Sequence, residues 1–416
     1  MKKTGPFRTR LTRRFYRRLF AAYRFVLPTD VAPGPVSPER VRRVLIARVD
    51  RVGDLVVLSP ALSYLRDVLP HAEIDLLAGP RNASLLEGDP RLAHVYVHQP
   101  TALGWLRSVR RLRARRYDVV FTMRLRDHMY EGIFASLVAG RHGARLTGYR
   151  PPQYAGFFTH RVRIPLSRRH MVARLLYIAR TLVGQLPAPS VDADLAAHPP
   201  TLPASPAAEA RARAFAAEHL GGAPYVALNA WGSDPRRGLG VPYAADVAAA
   251  VARHRPELAV VLTAPPNKAD EAADIVARAH AALRAAGAPA GAVVAAPTSR
   301  DLRDLVALMR HSAAVITPDT ANAHIACALN RPLVAVYTAL AVHPELWGAW
   351  GPSAHVVFLR EKRPVAAVPV PDVLAALDAA LAGAPAAPAE AWLPNAVPPN
   401  AAPPPTPPRA CAPLPR

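Results

Sequence analysis

The chain has 416 residues, more than one hydrophobic core usually organises, so two domains with loose ends are expected. Hydrophobic residues make up 51%, which suits a globular protein, yet 46 prolines mark stretches that cannot pack. Its two cysteines, Cys327 and Cys411, exclude a disulfide framework and a Cys-based metal site, and a net charge of +22 draws anionic partners without choosing among nucleic acid, anionic lipid and phosphorylated sugar.

From Met1 to Arg24 there are nine Lys or Arg and no acidic residue. Phe7, Leu11, Phe15, Leu19 and Tyr23 recur at every fourth position there, with Phe20 and Val26 beside them, so a helix would carry an apolar stripe flanked by arginines. Such a helix can lie in the headgroup layer of a membrane through residues 1–28. A solvated extension, or a helix docked on its own domain, is the alternative. Nucleic acid is not expected as a partner, because no recognisable DNA- or RNA-binding module follows. No apolar run reaches the roughly 18 to 20 residues that span a bilayer, and no export signal is recognisable, so a cytoplasmic protein peripheral to the inner face of the inner membrane is expected.

Residues 29–38 (TDVAPGPVSP) read as a linker, which closes a basic arm of 1–38. The segment 41–49 (VRRVLIARV) then reads as a strand, 50–54 (DRVGD) as a turn, 55–70 as an apolar helix and 73–79 (EIDLLAG) as a strand, a β-α-β order with a parallel sheet. Strands at 94–98 and 117–123 and helices near 102–116 and 130–139 continue the pattern. Pro and Ala dominate 186–222, read as a linker between halves. The second half repeats the alternation: strands at 225–230, 258–264, 292–296, 313–317 and 332–337, helices at 243–254, 268–286, 301–311 and 321–330. Residues 385–416 hold 12 prolines and no hydrophobic period, and a disordered tail is expected.

In parallel sheets, ligands bind where strands end and helix N-termini present free N–H groups. Three such loops carry polar residues. In the first, Gly53 permits a tight turn, and Asp54 either caps the following helix or faces the cleft. In the second, Thr317 to His324, the N–H groups of Thr320, Ala321 and Asn322 could cradle a diphosphate; Asp319 or Thr320 as a helix cap is the alternative, and His324 divides evenly between core and ligand contact. In the third, GSDPRRGLG, Arg236 and Arg237 either offer forks to phosphate or lie in a solvated loop.

These loops and their surroundings resemble glycosyltransferase family 9, the family of the lipopolysaccharide heptosyltransferases, over about residues 42–360. The motifs that carry the likeness are Gly53-Asp54 after the first strand, Asp319-Thr320 with His324 four residues on, and Trp347-Gly348-Ala349-Trp350-Gly351-Pro352. The resemblance implies an α/β fold of the GT-B type, two Rossmann-like doubly wound domains facing across a cleft. Residues 39–185 would bind the acceptor, a lipopolysaccharide or other anionic lipid-linked glycan, and 223–384 the nucleotide-sugar donor, an ADP-heptose. It also implies inversion at the anomeric carbon. Asp54 is then similar to the general base, and Asp319 to the residue that holds the donor sugar's hydroxyls. Thr320, Ala321 and Asn322 would bind the diphosphate, and His324 matches the family's histidine. Arg237, with Arg236 second, stands where the family commonly has a phosphate-binding Lys. No Asp-x-Asp motif stands at a strand end, so neither a metal nor another cofactor is expected.

The chain departs from the family at three places. Ala321 replaces a usual Gly, which narrows the approach to the pyrophosphate and disfavours a positive φ. Arg124 and Arg126 follow the fourth strand, where they would suit a charged acceptor if they are not simply surface residues. The loop APPNKAD lacks an acid for a ribose, although Asp270 and Glu271 lie close by. A different nucleotide-sugar donor, or a catalytically silent scaffold for glycan assembly at the membrane, are the competing readings. A dinucleotide oxidoreductase is disfavoured because RVDRVGD has one glycine and cannot form G-x-G-x-x-G.

Overall fold

The computed structural model describes residues 35–99, 101–122, 129–140, 143–149, 157–164, 170–184, 191–232, 234–288, 293–339, 344–351 and 353–383. The basic stretch 1–28, the tail from 385, and Arg124 and Arg126 lie outside the described residues.

The first half runs β1 (Arg43–Arg48), α1 (Val52–Val56), α2 (Ser59–Val68), β2 (Glu73–Ala78), β3 (His94–Val97), α3 (Ala102–Arg113), β4 (Val119–Thr122), α4 (Met129–Ala139), β5 (Ala144–Tyr149), β6 (His160–Arg163) and α5 (Met171–Leu182). All pairings in its six-stranded sheet are parallel, in the order β3-β2-β1-β4-β5-β6. Val44, Leu45 and Ile46 are fully buried, as a central strand covered on both faces requires.

After α6 (Val191–Ala197) and α7 (Pro206–Leu220), the second half runs β7 (Tyr225–Leu228), α8 (Val241–His254), β8 (Ala259–Leu262), α9 (Ala269–Ala285), β9 (Val293–Ala295), α10 (Leu302–His311), β10 (Ala314–Pro318), α11 (Ala321–Ala328), β11 (Leu333–Thr338), α12 (Pro344–Trp347), β12 (Ala354–Leu359) and α13 (Val370–Leu381). Its sheet order, β12-β11-β10-β7-β8-β9, repeats that of the first when β7 is counted as strand one. Two copies of the doubly wound nucleotide-binding order therefore stand side by side.

Two local readings change. The helix expected over 55–70 starts earlier and is broken: Pro60, near the start of α2, has no N–H and its ring obstructs the carbonyl four residues back, so α1 ends at Val56. The segment 186–222 is helical over α6 and α7, because alanine favours helix, and in α7 a proline sets the first turn. Ala208, Ala212 and Phe215 of α7 pack with Tyr225, Ala259 and Ala307 of the second half.

The two halves share a core. Buried Leu55, Val56 and Leu62 of the first half belong to one apolar cluster with Val315, Ala323, Ile325 and Tyr337 of the second. At its edge the amide of Leu302 donates to Ser84 Oγ (3.1 Å), and Arg303 lies 3.4 Å from Glu87.

Candidate active site

The end of β1 turns into α1 in three residues, and that turn is built around Arg48. Its guanidinium is buried, with Nη2 donating to Asp54 Oδ1 at 2.8 Å and Nη1 3.8 Å from Asp50 Oδ2. Burial pulls the Arg48 guanidinium below its usual range, and the carboxylates of Asp54 and Glu131 act against that. Asp54 is the third residue of α1, and its Oδ2 accepts the amide of Arg51 at 2.9 Å. The carboxylate therefore caps the helix backwards through one oxygen and holds Arg48 with the other, which leaves a lone pair on each oxygen for a substrate. Buried Asn82, held in the loop after β2 where its Oδ1 accepts the Gly79 amide at 2.7 Å, reaches the turn through Nδ2, which donates to the Arg48 and Arg51 carbonyls at 3.4 Å.

Gly53 is not the turn residue expected of it. It lies inside α1, and a Cβ there would stand 2.8 Å from His324 Cδ2 and 3.7 Å from the Ala321 Cα. Glycine is needed because α11 of the other half presses on this helix.

In the second half, the loop after β7 folds back to bring Arg237 against the β10 end, where Nη1 donates to Asp319 Oδ2 at 2.7 Å. Gly240, at φ +74°, supplies the left-handed step into α8 that this fold-back uses. Burial raises the Asp319 carboxyl above its ordinary range, against the opposite pull of Arg237 and then Arg51. Arg51 of the first half thus faces the Asp319–Arg237 pair of the second. Arg236 does not join them: it is exposed and forks Asp234, with Nη2 to Oδ2 at 2.7 Å.

Thr320 is the N-cap of α11, its Oγ1 accepting the Asn322 amide at 3.2 Å. That amide of the expected cradle is already engaged. Among the described non-glycine residues only Arg116 and Asn330 have positive φ, so the backbone at Ala321 tolerates its methyl group without strain. Asn229, which the sequence did not single out, ties the two loops together: Nδ2 donates to Thr317 Oγ1 (2.9 Å) and to the Trp231 carbonyl (3.0 Å). Glu271 accepts from Trp231 Nε1 at 2.8 Å and pairs with Lys268, which puts an acid beside the β7 loop after all.

His324 is buried and stacks on Trp350, with ring centroids 5.1 Å apart at 24°. His170 tilts against the same Trp350 at 5.3 Å, and its Nε2 donates to the Gly348 carbonyl at 3.1 Å. Burial lowers His324 to about 3, helped by His170, and lowers His170 to about 4. Both rings are neutral, and both brace the contact between halves. His324 lies with the other motif residues but in a packing position.

A separate cavity of about 130 Å³ opens beside β1 and β4, lined by Val49, His98, Trp105, Thr122, Glu131 and Phe134 among others. Burial lowers the His98 ring below its usual range, and its Nδ1 finds no hydrogen-bond partner among the described residues.

Two doubly wound domains with charged loops meeting at their strand ends define the glycosyltransferase architecture called GT-B. The profile of glycosyltransferase family 9 (heptosyltransferase) matches residues 105–369, and the chain belongs to that family. The fold is similar to that of a family 9 glycosyl transferase from Veillonella parvula, at 16% identity over 85% of this chain and 99% of that one (TM-score 0.69). It is similar also to E. coli ADP-heptose lps heptosyltransferase II, at 21% identity over 82% and 98% (TM-score 0.66). A third is E. coli heptosyltransferase WaaC with ADP, at 17% identity over 81% and 99% (TM-score 0.61). A comparison with curated protein sequences yields no match. Among the described residues no helix is long and apolar enough to cross a membrane.

Proposed function

We propose that this glycosyltransferase moves heptose, or a related sugar, from an ADP-linked donor to an anionic lipid-linked glycan at the inner face of the inner membrane, with inversion and without a divalent ion. The observation that carries the reading is the pair of arginine-held carboxylates, Asp54 with Arg48 in one domain and Asp319 with Arg237 in the other, at strand ends that face each other. Residues 39–185 take the acceptor and 223–384 the donor.

Asp54 removes the proton from the acceptor hydroxyl as its oxygen attacks the anomeric carbon, and the bond to the diphosphate breaks. Arg48 aims the carboxylate. Arg237 and the N-terminus of α11, with the amides of Thr320 and Ala321, meet the charge that develops on the leaving diphosphate, and Asp319 takes the donor sugar's hydroxyls. Glu271 and Trp231 form the edge of the nucleoside site. The solved structures of WaaC with ADP and with ADP-2-deoxy-2-fluoro heptose favour an adenine nucleotide. In this reading an acceptor ring enters the cavity at His98 and Glu131, with Trp105 and Phe134 for its apolar face, while Arg124 and Arg126 meet acceptor charge. Residues 1–28 hold the chain to the membrane.

The test is ADP release from ADP-heptose, with heptose-deficient lipopolysaccharide as acceptor, by wild type and Asp54→Ala. Release by wild type and its loss in a folded variant support donor and base together. A folded wild type that binds other nucleotide sugars but releases no ADP overturns the heptose assignment.

A further inference from the structure

Among the described residues the exposed large hydrophobic side chains are Val97 (46%), Leu103 (56%) and Leu106 (57%), and all three lie together. Val97 ends β3, the edge strand of the first sheet, and the two leucines open α3 beside it. Helix α3 buries Gly104, Val109 and Leu112 against its domain, so Leu103, Leu106, Arg107, Arg110 and Arg113 share its outward face at helical spacing. Residues 90–117 contain seven arginines and no acidic residue. Arg111 lies over the Tyr96 ring at 4.6 Å and Arg113 donates to the Leu137 carbonyl, whereas Arg107, Arg110 and Arg116 meet no carboxylate among the described residues. Between β3 and α3 runs a groove of about 280 Å³, with Val97 and Leu103 at its apolar part and Arg107 and Arg111 at its charged part.

We propose that this face docks on an anionic phospholipid bilayer, with Val97, Leu103 and Leu106 in the headgroup layer and Arg107 and Arg110 on lipid phosphates. Exposed leucines amid unpaired arginines match such a surface in both its apolar and its charged component. The chain's own termini are poor occupants: residues 1–34 carry nine Lys or Arg against the single acid Asp30, and residues 384–416 hold only Glu390. Trp105, on the opposite side of the same helix, lines the cavity near β1, so docking would set that cavity beside the membrane. This surface is independent of the stretch 1–28 and goes beyond the reaction proposed above.

The experiment uses full-length protein and vesicles of phosphatidylglycerol or phosphatidylcholine. Each arginine near an anionic surface is worth about a factor of five, so Arg107→Ala/Arg110→Ala weakens binding to phosphatidylglycerol by about 25-fold, and Leu103→Ser/Leu106→Ser weakens it by about tenfold. Because residues 1–28 could mask both losses, Leu106→Cys in a Cys411→Ser chain is labelled with an environment-sensitive dye. A blue shift on phosphatidylglycerol, absent on phosphatidylcholine, supports the docking. A dye that stays in water while the chain binds vesicles overturns it, as does a blue shift produced by duplex DNA and not by lipid. ADP release with a soluble acceptor should survive all these substitutions, so the docking can fail while the transferase reading stands.

Discussion

Acidification should loosen the contact between the halves through His324 and His170. In an unfolded chain both rings titrate near about 6.5, whereas burial lowers them to about 3 and about 4 in the folded protein. Below about pH 6.5 the unfolded chain therefore binds two protons that the native protein excludes, and stability falls with pH, by about 1.4 kcal/mol per unit for each ring. Above about 6.5 neither state is protonated and this contribution is fully present and constant. At pH 5 the loss is about 2 kcal/mol for each histidine, a large share of an ordinary stability. Urea unfolding followed by tryptophan fluorescence, which Trp350 reports from the interface, should show it between pH 7.5 and 5. His324→Gln lowers stability at neutral pH but removes one titrating ring, so its slope below pH 6.5 should be shallower than wild type's by about 1.4 kcal/mol per unit. Parallel slopes would refute the burial argument, since every other titrating group is common to both proteins.

Gly53→Ala should destabilise by about 1–3 kcal/mol, because its methyl meets an imidazole that Trp350 holds in place; adding His324→Ala should recover part of the loss in a thermodynamic cycle. Arg237→Ala should cut kcat/KM for the donor by about 10- to 100-fold through a lost charged contact. It should also raise the Asp319 carboxyl further, which moves the acid limb of the rate profile upward. Arg236→Ala, at an exposed side chain, should leave kcat/KM within a factor of two or so. If transfer is metal-free, EDTA should leave ADP release unchanged, and loss restored by a divalent ion would count against it.

Much of the alternation was legible because strands buried on both faces are unbroken apolar runs: VLI in β1, VVF in β4, AVVL in β8 and LVAV in β11 stand out from any amphipathic helix. Three strands escaped: β5 (ARLTGY) and β6 (HRVR) carry polar residues that break such a run, and β12 (AHVVFL) is an edge strand of the second sheet. Helix α7 was hidden by its alanines, which lower apparent hydrophobic contrast while favouring helix. The candidate site was half legible. Loop positions follow from topology, so Asp54 and Asp319 could be singled out, but their partners are set by the folded chain. Arg237 is 82 residues from Asp319, and His170 meets the Gly348 carbonyl across 178. Arg48 lay within a strand that reads as structural, and nothing local marks it as the residue that aims Asp54.

That pairing has a chemical consequence. A carboxylate that accepts a proton from a hydroxyl must present a free lone pair along the hydroxyl's approach. In Asp54 the helix amide of Arg51 and the guanidinium of Arg48 each occupy one oxygen. Arg48 cannot swing away, because it is buried and held toward Asp50 as well. The direction left open is thus fixed before substrate arrives, which is what preorganised catalysis requires. Arg48→Lys keeps a charge but loses the planar fork. If Asp54 is the base proposed above, it should lower kcat by more than it raises the donor KM, since Arg48 touches Asp54 and not the second domain's Asp319–Arg237 pair. A donor KM that rises as much as kcat falls would mean instead that Arg48 holds the two halves in place and does not orient Asp54 for catalysis.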